Sequence, residues 1–234
     1  MTVGIMQPYF FPYLGYWQLM NAVDRYVFLD DVNYVKKGWI NRNLICGKNG
    51  IIRIGVPIHK VSQNKLINKL TLVSDPASMK KLRCTLEQTY RRAPYYTQTM
   101  ALFDQAFSYE SQNLADFLIN SNRLVADYLQ LKTQFYVSSA LPKDPNLRAE
   151  ERIIDICRLL DATCYINAIG GIDLYCQENF MANQMSLQFL QMKPTPYPQI
   201  RKGFVPKLSI LDVMMFNSVD AIQDMLNNYT LVQK

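Results

Sequence analysis

Residues 5 to 17 read Ile-Met-Gln-Pro-Tyr-Phe-Phe-Pro-Tyr-Leu-Gly-Tyr-Trp. A short apolar strand, Val3 to Met6, runs into a loop of two prolines, a glycine and a rim of aromatics. A helix-like segment, Trp17 to Val23, follows, and then a second strand, Tyr26 to Leu29, ending in Asp30-Asp31. Strand, loop, helix and strand within so short a span is the opening of an α/β fold. Both the loop and the paired aspartates fall at the carboxyl ends of strands, where open α/β sheets bind ligands. Read structurally, Pro8 and Pro12 shape a turn and the aromatics pack.

The rest of the chain continues the pattern. A third strand is expected over 51–57, halted by Pro57, and a short one over Leu70 to Val73. Ser74-Asp75-Pro76 has the form of a helix start, with a capping side chain and proline in the first turn. Three apolar-striped segments between about 75 and 131 predict a helical insertion. Beyond it, strands are expected over Phe135 to Ala140, Thr163 to Ile169 and Ser186 to Met192. Helices are expected over Leu147 to Leu160, over Leu174 to Phe180 and from Ser209 and Ser218. The expectation is one α/β domain over 1–234, with a mostly parallel central sheet flanked by helices and the insertion at about 75–131.

Composition narrows the function classes. The chain has 234 residues and is 49% hydrophobic, enough for a sizeable core. No apolar run approaches the roughly 18 to 20 residues of a membrane span, and the first residues lack the basic leader of a signal peptide. A cytoplasmic location is therefore expected. The five cysteines are odd in number and include no Cys-x-x-Cys, which argues against a disulfide framework or a zinc ribbon. The one histidine, His59, restricts Ser-His-Asp or Cys-His chemistry to that residue, which lies in a polar loop. No phosphate-loop or Gly-x-Gly-x-x-Gly motif occurs.

The net charge is +6 and the excess is uneven. Residues 36 to 53 carry Lys36, Lys37, Arg42, Lys48 and Arg53 with no acid among them. Residues 80 to 92 carry Lys80, Lys81, Arg83, Arg91 and Arg92 against Glu87 alone. Such patches suit phosphate, nucleotide or RNA, or form a solvated surface. The common RNA-binding motifs are missing, so nucleic acid is a weaker expectation than a small anionic ligand.

Candidate site residues follow from position and chemistry. Asp30 and Asp31 are candidates for a general base or a Mg²⁺ ligand, or for a salt-bridge network. Gln7, Tyr9 and Tyr13 shape the loop pocket. Asn33, Lys36, Lys37, Trp39, Asn41 and Arg42 follow the aspartates and include cations able to grip phosphate. Tyr197 and Gln199, with Lys202, form a second polar-aromatic loop. Lys207 precedes a helix start capped by Ser209. Gly170-Gly171 after a strand serves a tight turn or lets backbone amides approach an anion.

The motifs Gln7-Pro8-Tyr9, Pro12-Tyr13-Leu14-Gly15-Tyr16, Leu29-Asp30-Asp31-Val32 and Trp39-Ile40-Asn41-Arg42-Asn43 together resemble the WbqC-like protein family. Val56-Pro57, Tyr165-Ile166, Gly170, Tyr175, Tyr197-Pro198-Gln199 and Leu208-Ser209-Ile210-Leu211-Asp212 extend the resemblance, in order, over essentially the whole chain. The resemblance implies a protein of bacterial O-antigen or other surface-polysaccharide gene clusters. It further implies transfer of a glycyl-like aminoacyl or acyl group to an amino sugar, on a sugar or nucleotide-sugar substrate. Amide formation needs an activated donor, so ATP with Mg²⁺ or an aminoacyl-tRNA is the cofactor expectation. The alternative is a non-catalytic binding or scaffold component of polysaccharide assembly. Many relatives have His before Gln-Pro; here the residue is Met6, which removes a histidine mechanism at that position. The layout of the first strands is also similar to nucleotidyltransferase-like synthetases, whose His-x-Gly-His element is absent here.

Overall fold

The computed structural model describes residues 1–73 and 75–234. Ser74, expected at a helix start, lies outside the described residues. Six strands form the main sheet: β1 (Thr2–Met6), β2 (Arg25–Phe28), β5 (Gln134–Val137), β6 (Cys164–Ala168), β7 (Ser186–Met192) and β8 (Tyr229–Val232). Two more, β3 (Arg42–Gly47) and β4 (Gly50–Gly55), form a separate antiparallel hairpin.

The order across the main sheet is β5-β2-β1-β6-β7-β8. The first five run parallel and β8 pairs antiparallel with β7. Counted along the chain within this sheet, that order is 3-2-1-4-5-6. The chain steps outward from β1 through β2 to β5, crosses back to β6, and then steps outward the other way. The reversal lies between β1 and β6, and such reversals open a crevice at the carboxyl ends of the two strands.

Side chains alternate across the pleat and bury both faces. Val3, Ile5 and Val27 pack on α5 (Ala149–Leu159) and α6 (Gln177–Ala182), through Ile153, Ile156, Cys157 and Phe180. Tyr26, Phe28 and Ile166 face the opposite cluster. That cluster holds α1 (Leu14–Asn21), α2 (Pro76–Tyr90), α3 (Tyr96–Phe107), α4 (Leu114–Tyr128), α7 (Ile210–Phe216) and α8 (Val219–Leu226). Helices α2 to α4 thus share the core of one sheet face. Local chemistry fixes their ends. The Asp75 carboxylate accepts from Ala77 and Ser78 N–H at 3.0 and 3.1 Å ahead of Pro76. Asn113 caps α4 in the same way, and Ser209 and Ser218 cap α7 and α8.

Some expected elements are placed differently. The first helix begins at Leu14, not Trp17. The strand expected over 51–57 is the second arm of the β3–β4 hairpin, whose first arm falls in the basic stretch. Leu70 to Val73 makes only isolated bridges, Thr71 with Asn113 and Leu72 with Ile58. Strand β8, at the sheet edge, was not expected.

Candidate functional site

The aromatic loop between β1 and α1 is fixed through its carbonyls. The Gln7 carbonyl accepts from Tyr16 Oη at 2.8 Å and the Tyr9 carbonyl from Asn122 Nδ2 at 3.2 Å. Asn43 Nδ2 donates to the carbonyls of both Phe10, 3.1 Å, and Phe11, 2.7 Å. Ser209 Oγ also reaches the Phe11 carbonyl at 2.7 Å. Trp17 Nε1 and the Ile210 N–H both donate to the Pro12 carbonyl, at 3.0 and 2.9 Å. Phe11 sits at φ +40°, a left-handed backbone that a side chain seldom adopts unless its surroundings hold it. Phe10 and Phe11 point inward and are fully buried, which leaves Gln7, Tyr9 and Tyr13 on the outer side.

That side opens on the crevice between β1 and β6. A cavity of about 530 Å³ is lined there by Gln7, Tyr9, Tyr13, Trp39, Asn43, Asn167, Gly170, Gly171, Tyr175 and Lys207, with Ile5, Met6 and Leu29 at its floor. Its walls are aromatic and amide-bearing, and its one cation among the described residues is Lys207, held at φ +59°. Among the described residues, no Ser, Thr, Cys or carboxylate lines it. Asn167 is oriented by its neighbours: Nδ2 donates to Tyr165 Oη at 2.5 Å and to Tyr175 Oη at 3.1 Å. A Cβ on Gly171 would come within 3.0 Å of Asn167 Oδ1, so glycine keeps that side open. Burial raises the phenol pKa of Tyr9, Tyr13 and Tyr175. These tyrosines therefore act as neutral hydrogen-bonding groups.

A second cavity, about 570 Å³, continues past β2 and shares Leu29, Ile153, Leu174 and Tyr175 with the first. Asp31, Asn33, Arg148, Glu150 and Arg152 line it, beside the start of α5. Asp31 is ion-paired with Lys143 at 2.7 Å and has Arg152 at 4.0 Å. Burial alone would raise its carboxyl pKa, but Lys143, Ser138 and Arg152 outweigh it and hold the group below the usual carboxylate range. Asp30 is buried among neutral donors, accepting from Asn68 Nδ2 at 3.0 Å, Ser139 N–H at 2.9 Å and Ser139 Oγ at 2.6 Å. Its carboxylate ties β2 to the segment that follows β5. Among the described residues, no three His, Cys, Asp or Glu side chains cluster as a metal site.

The structure gathers Gln7, Tyr9, Tyr13, Trp39 and Lys207 in one cavity, with Asp31 and Asn33 in the adjoining one. The other candidates lie elsewhere. Asn41 accepts from Tyr34 Oη at 2.7 Å and donates to the Val56 carbonyl at 2.8 Å. Arg42 Nε donates to the Gly38 carbonyl, and with Asn41 it faces α2. Lys36, Lys37 and Lys202 are exposed and line neither cavity. Gln199 pins its own loop through the Val205 N–H and carbonyl, both at 2.9 Å. Tyr197 Oη donates to Asp212 at 2.9 Å, and Asp212 also accepts from Tyr90 Oη and from the Cys46 N–H at 2.9 Å. Burial raises the Asp212 pKa against the opposing pull of these donors.

Sequence reasoning did not single out Lys143, Arg152 or Asn167; Asn43 and Tyr175 entered only among the residues of the family resemblance, without a role. Asn167 and Tyr175 flank the Gly170-Gly171 pair, which was the available signal.

Comparison with known proteins bears on the same geometry. The model of the WbqC-like protein family matches residues 7–224, from the aromatic loop to α8. The chain belongs to the WbqC-like family. The uncharacterized protein Rv1507c of Mycobacterium tuberculosis is 26% identical over 218 residues, covering 92% of this chain and 93% of the relative. No solved structure matches the chain significantly.

Proposed function

We propose that this WbqC-like protein transfers an aminoacyl or acyl group to the amine of an amino sugar carried on a nucleotide, in the cytoplasmic stage of surface-polysaccharide synthesis. The observation that carries the reading is the continuous crevice at the sheet's reversal. One end is walled by aromatics and amides suited to a sugar or base, with Lys207 at its edge. The other end carries Arg148 and Arg152, suited to phosphate oxygens. Gln7 offers a directed donor and acceptor to sugar hydroxyls, Asn43 and Asn167 hold the wall in place through their own hydrogen bonds, and Tyr9, Tyr13 and Trp39 offer flat apolar faces.

The reaction needs little covalent participation from the protein. The sugar amine attacks the activated acyl carbon, the carbon–nitrogen bond forms, and the bond to the donor's phosphate or ribose oxygen breaks. The proton leaves the nitrogen for Asp31, whose ionised carboxylate stands in the adjoining cavity, or for the departing oxygen. The wall lacks a hydroxyl or thiol of the kind that forms acyl-enzymes, which favours direct transfer between bound partners held in register. Lys207 sits where it can offset charge developing on the carbonyl oxygen. ATP with Mg²⁺ or an aminoacyl-tRNA is the proposed source of activation. The same absence of an evident nucleophile or imidazole favours a second reading, a binding component of the assembly machinery using the same crevice.

Thermal stability of the purified protein with UDP- and dTDP-amino sugars, ATP with Mg²⁺, and glycine tests the proposal. A ligand at about a hundred times its dissociation constant stabilises by about 2.7 kcal/mol. The expected result is a shift with a nucleotide-sugar that Lys207→Ala and Trp39→Ala each reduce. Turnover with an activated donor supports the transferase, and saturable binding without turnover supports the second reading. No shift with any nucleotide or sugar overturns both.

A further inference from the structure

The two basic stretches of the sequence, 36–53 and 80–92, meet in space. The β3–β4 hairpin lies against α2, and two cavities run between them, about 780 and 520 Å³, sharing Ile52. The first is lined by Lys48, Arg91 and Arg92, the second by Arg42, Arg53 and Lys81. Among the described residues, no carboxylate lines either. Arg83, on the same helix, points elsewhere and is neutralised by Asp104 at 2.9 Å and Glu87 at 3.6 Å. Among the described residues, none of the six groove cations forms an ion pair.

The lining runs from Ser78 to Arg92, about 20 Å at the rise of an α-helix. Six unpaired cations over that length exceed what one nucleotide can engage. A nucleic-acid strand spaces its phosphates closely enough, about 3.4 Å apart along a duplex axis, to occupy several of them. The channel is concave, bounded by a strand on one side and a helix on the other, which suits a strand better than a flat bilayer. Among the described residues, no aromatic side chain lines it, so bases have no platform there on which to stack.

We propose that this groove binds a single RNA strand through its phosphates, without reading its sequence. The groove is separate from the crevice at the sheet's reversal, because the hairpin lies between them: Arg42 lines the groove while Asn43, next to it, lines the crevice. The proposal therefore stands or falls independently of the transferase reading.

Fluorescence anisotropy of the full chain with a labelled mixed-sequence RNA of about twelve nucleotides tests it. With about four phosphates engaged, affinity should fall about fifty-fold between ~50 and ~200 mM salt. The double variant Arg91→Ala/Arg92→Ala removes two exposed groove cations. It should bind more weakly, with a salt slope shallower by about 1.4. Lys36→Ala/Lys37→Ala makes the same charge change outside the groove and should leave the slope unchanged. Melting curves of both variants confirm that each remains folded. Equal losses in the two double variants would overturn the proposal, as would tighter binding to an acidic peptide or to phosphatidylserine vesicles than to the RNA.

Discussion

The crevice and the groove are two concavities built on opposite terms. Around the crevice, the side chains that matter are hydrogen-bonded or ion-paired inside the fold: Asn43 to the aromatic loop, Asn167 to two tyrosines, Asp31 to Lys143. Around the groove, the cations sit on the surface without ionic partners. Substitutions at these internally bonded crevice residues therefore disturb the protein itself, whereas substitutions of the groove cations disturb what it binds.

The sharpest way to break that contrast is Asp31→Asn. Lys143 is 7% exposed and would be left as a buried charge without its carboxylate. Losing one partner of a buried pair costs about 3–5 kcal/mol, so urea melts should show a large drop. Asp31→Asn combined with Lys143→Met should recover much of it. A melt of Asp31→Asn that matches the parent would show the pair to be solvated. Loss of transfer activity in this variant is informative only beside the double variant, where the stability defect is reduced.

Acid sharpens the comparison within the interior. The Asp31 carboxyl is held below its unfolded value of about 3.9, so its contribution is complete above that pH and is lost as pH falls through the folded value. The Asp212 carboxyl is raised, so its contribution is present below the unfolded value and is lost as pH rises through the folded one. Urea melts across mildly acidic pH should show Asp212→Asn removing the loss on rising pH. Asp31→Asn should remove the loss on falling pH.

Smaller effects follow in order. Asn43→Ala strips donors from the carbonyls of Phe10 and Phe11 and should cost about 2 kcal/mol, measurable by the same melts. Trp39→Ala, at a residue 46% exposed, should change stability by less than about 0.5 kcal/mol while weakening any crevice ligand. Lys81→Ala should likewise leave stability within about 0.5 kcal/mol, because the side chain is exposed and unpaired. A larger drop there would place the groove among the structural parts of the molecule.

Helices were the most legible part of the sequence. Asp75-Pro76, Asn113, Ser209 and Ser218 announce starts by their own side-chain chemistry, and all four cap helices. The α/β class followed from the alternation of apolar runs. The hairpin was missed because Arg42 to Gly47 was weighed as charge; its arms close through a two-residue turn, Lys48-Asn49, between the paired Gly47 and Gly50, without the Asn-Gly or Asp-Gly loop that signals such turns. Strand β8 is four residues long, half of them exposed, and carries too little pattern to stand out.

The candidate site divides along the same line. Gln7, Tyr9 and Tyr13 were readable because one loop supplies them. Lys143 and Asn167 were not, because they meet the N-terminal strands only through the sheet order, which brings β5 beside β2 and β6 beside β1. Ser139 and Lys143, which hold Asp30 and Asp31, come from the segment after β5, more than a hundred residues away in sequence.

The pins on the aromatic loop also set a timetable. Asn43 reaches Phe11 across 32 residues, Asn122 reaches Tyr9 across 113, and Ser209 reaches Phe11 across 198. A chain emerging from the ribosome makes β1 and its loop before Asn43, Asn122 and Ser209 exist to hold them. Until then the loop's aromatics are open to water and to other nascent chains. The loop is made before the side chains that hold it, and its shape is final only once Ser209 has joined it.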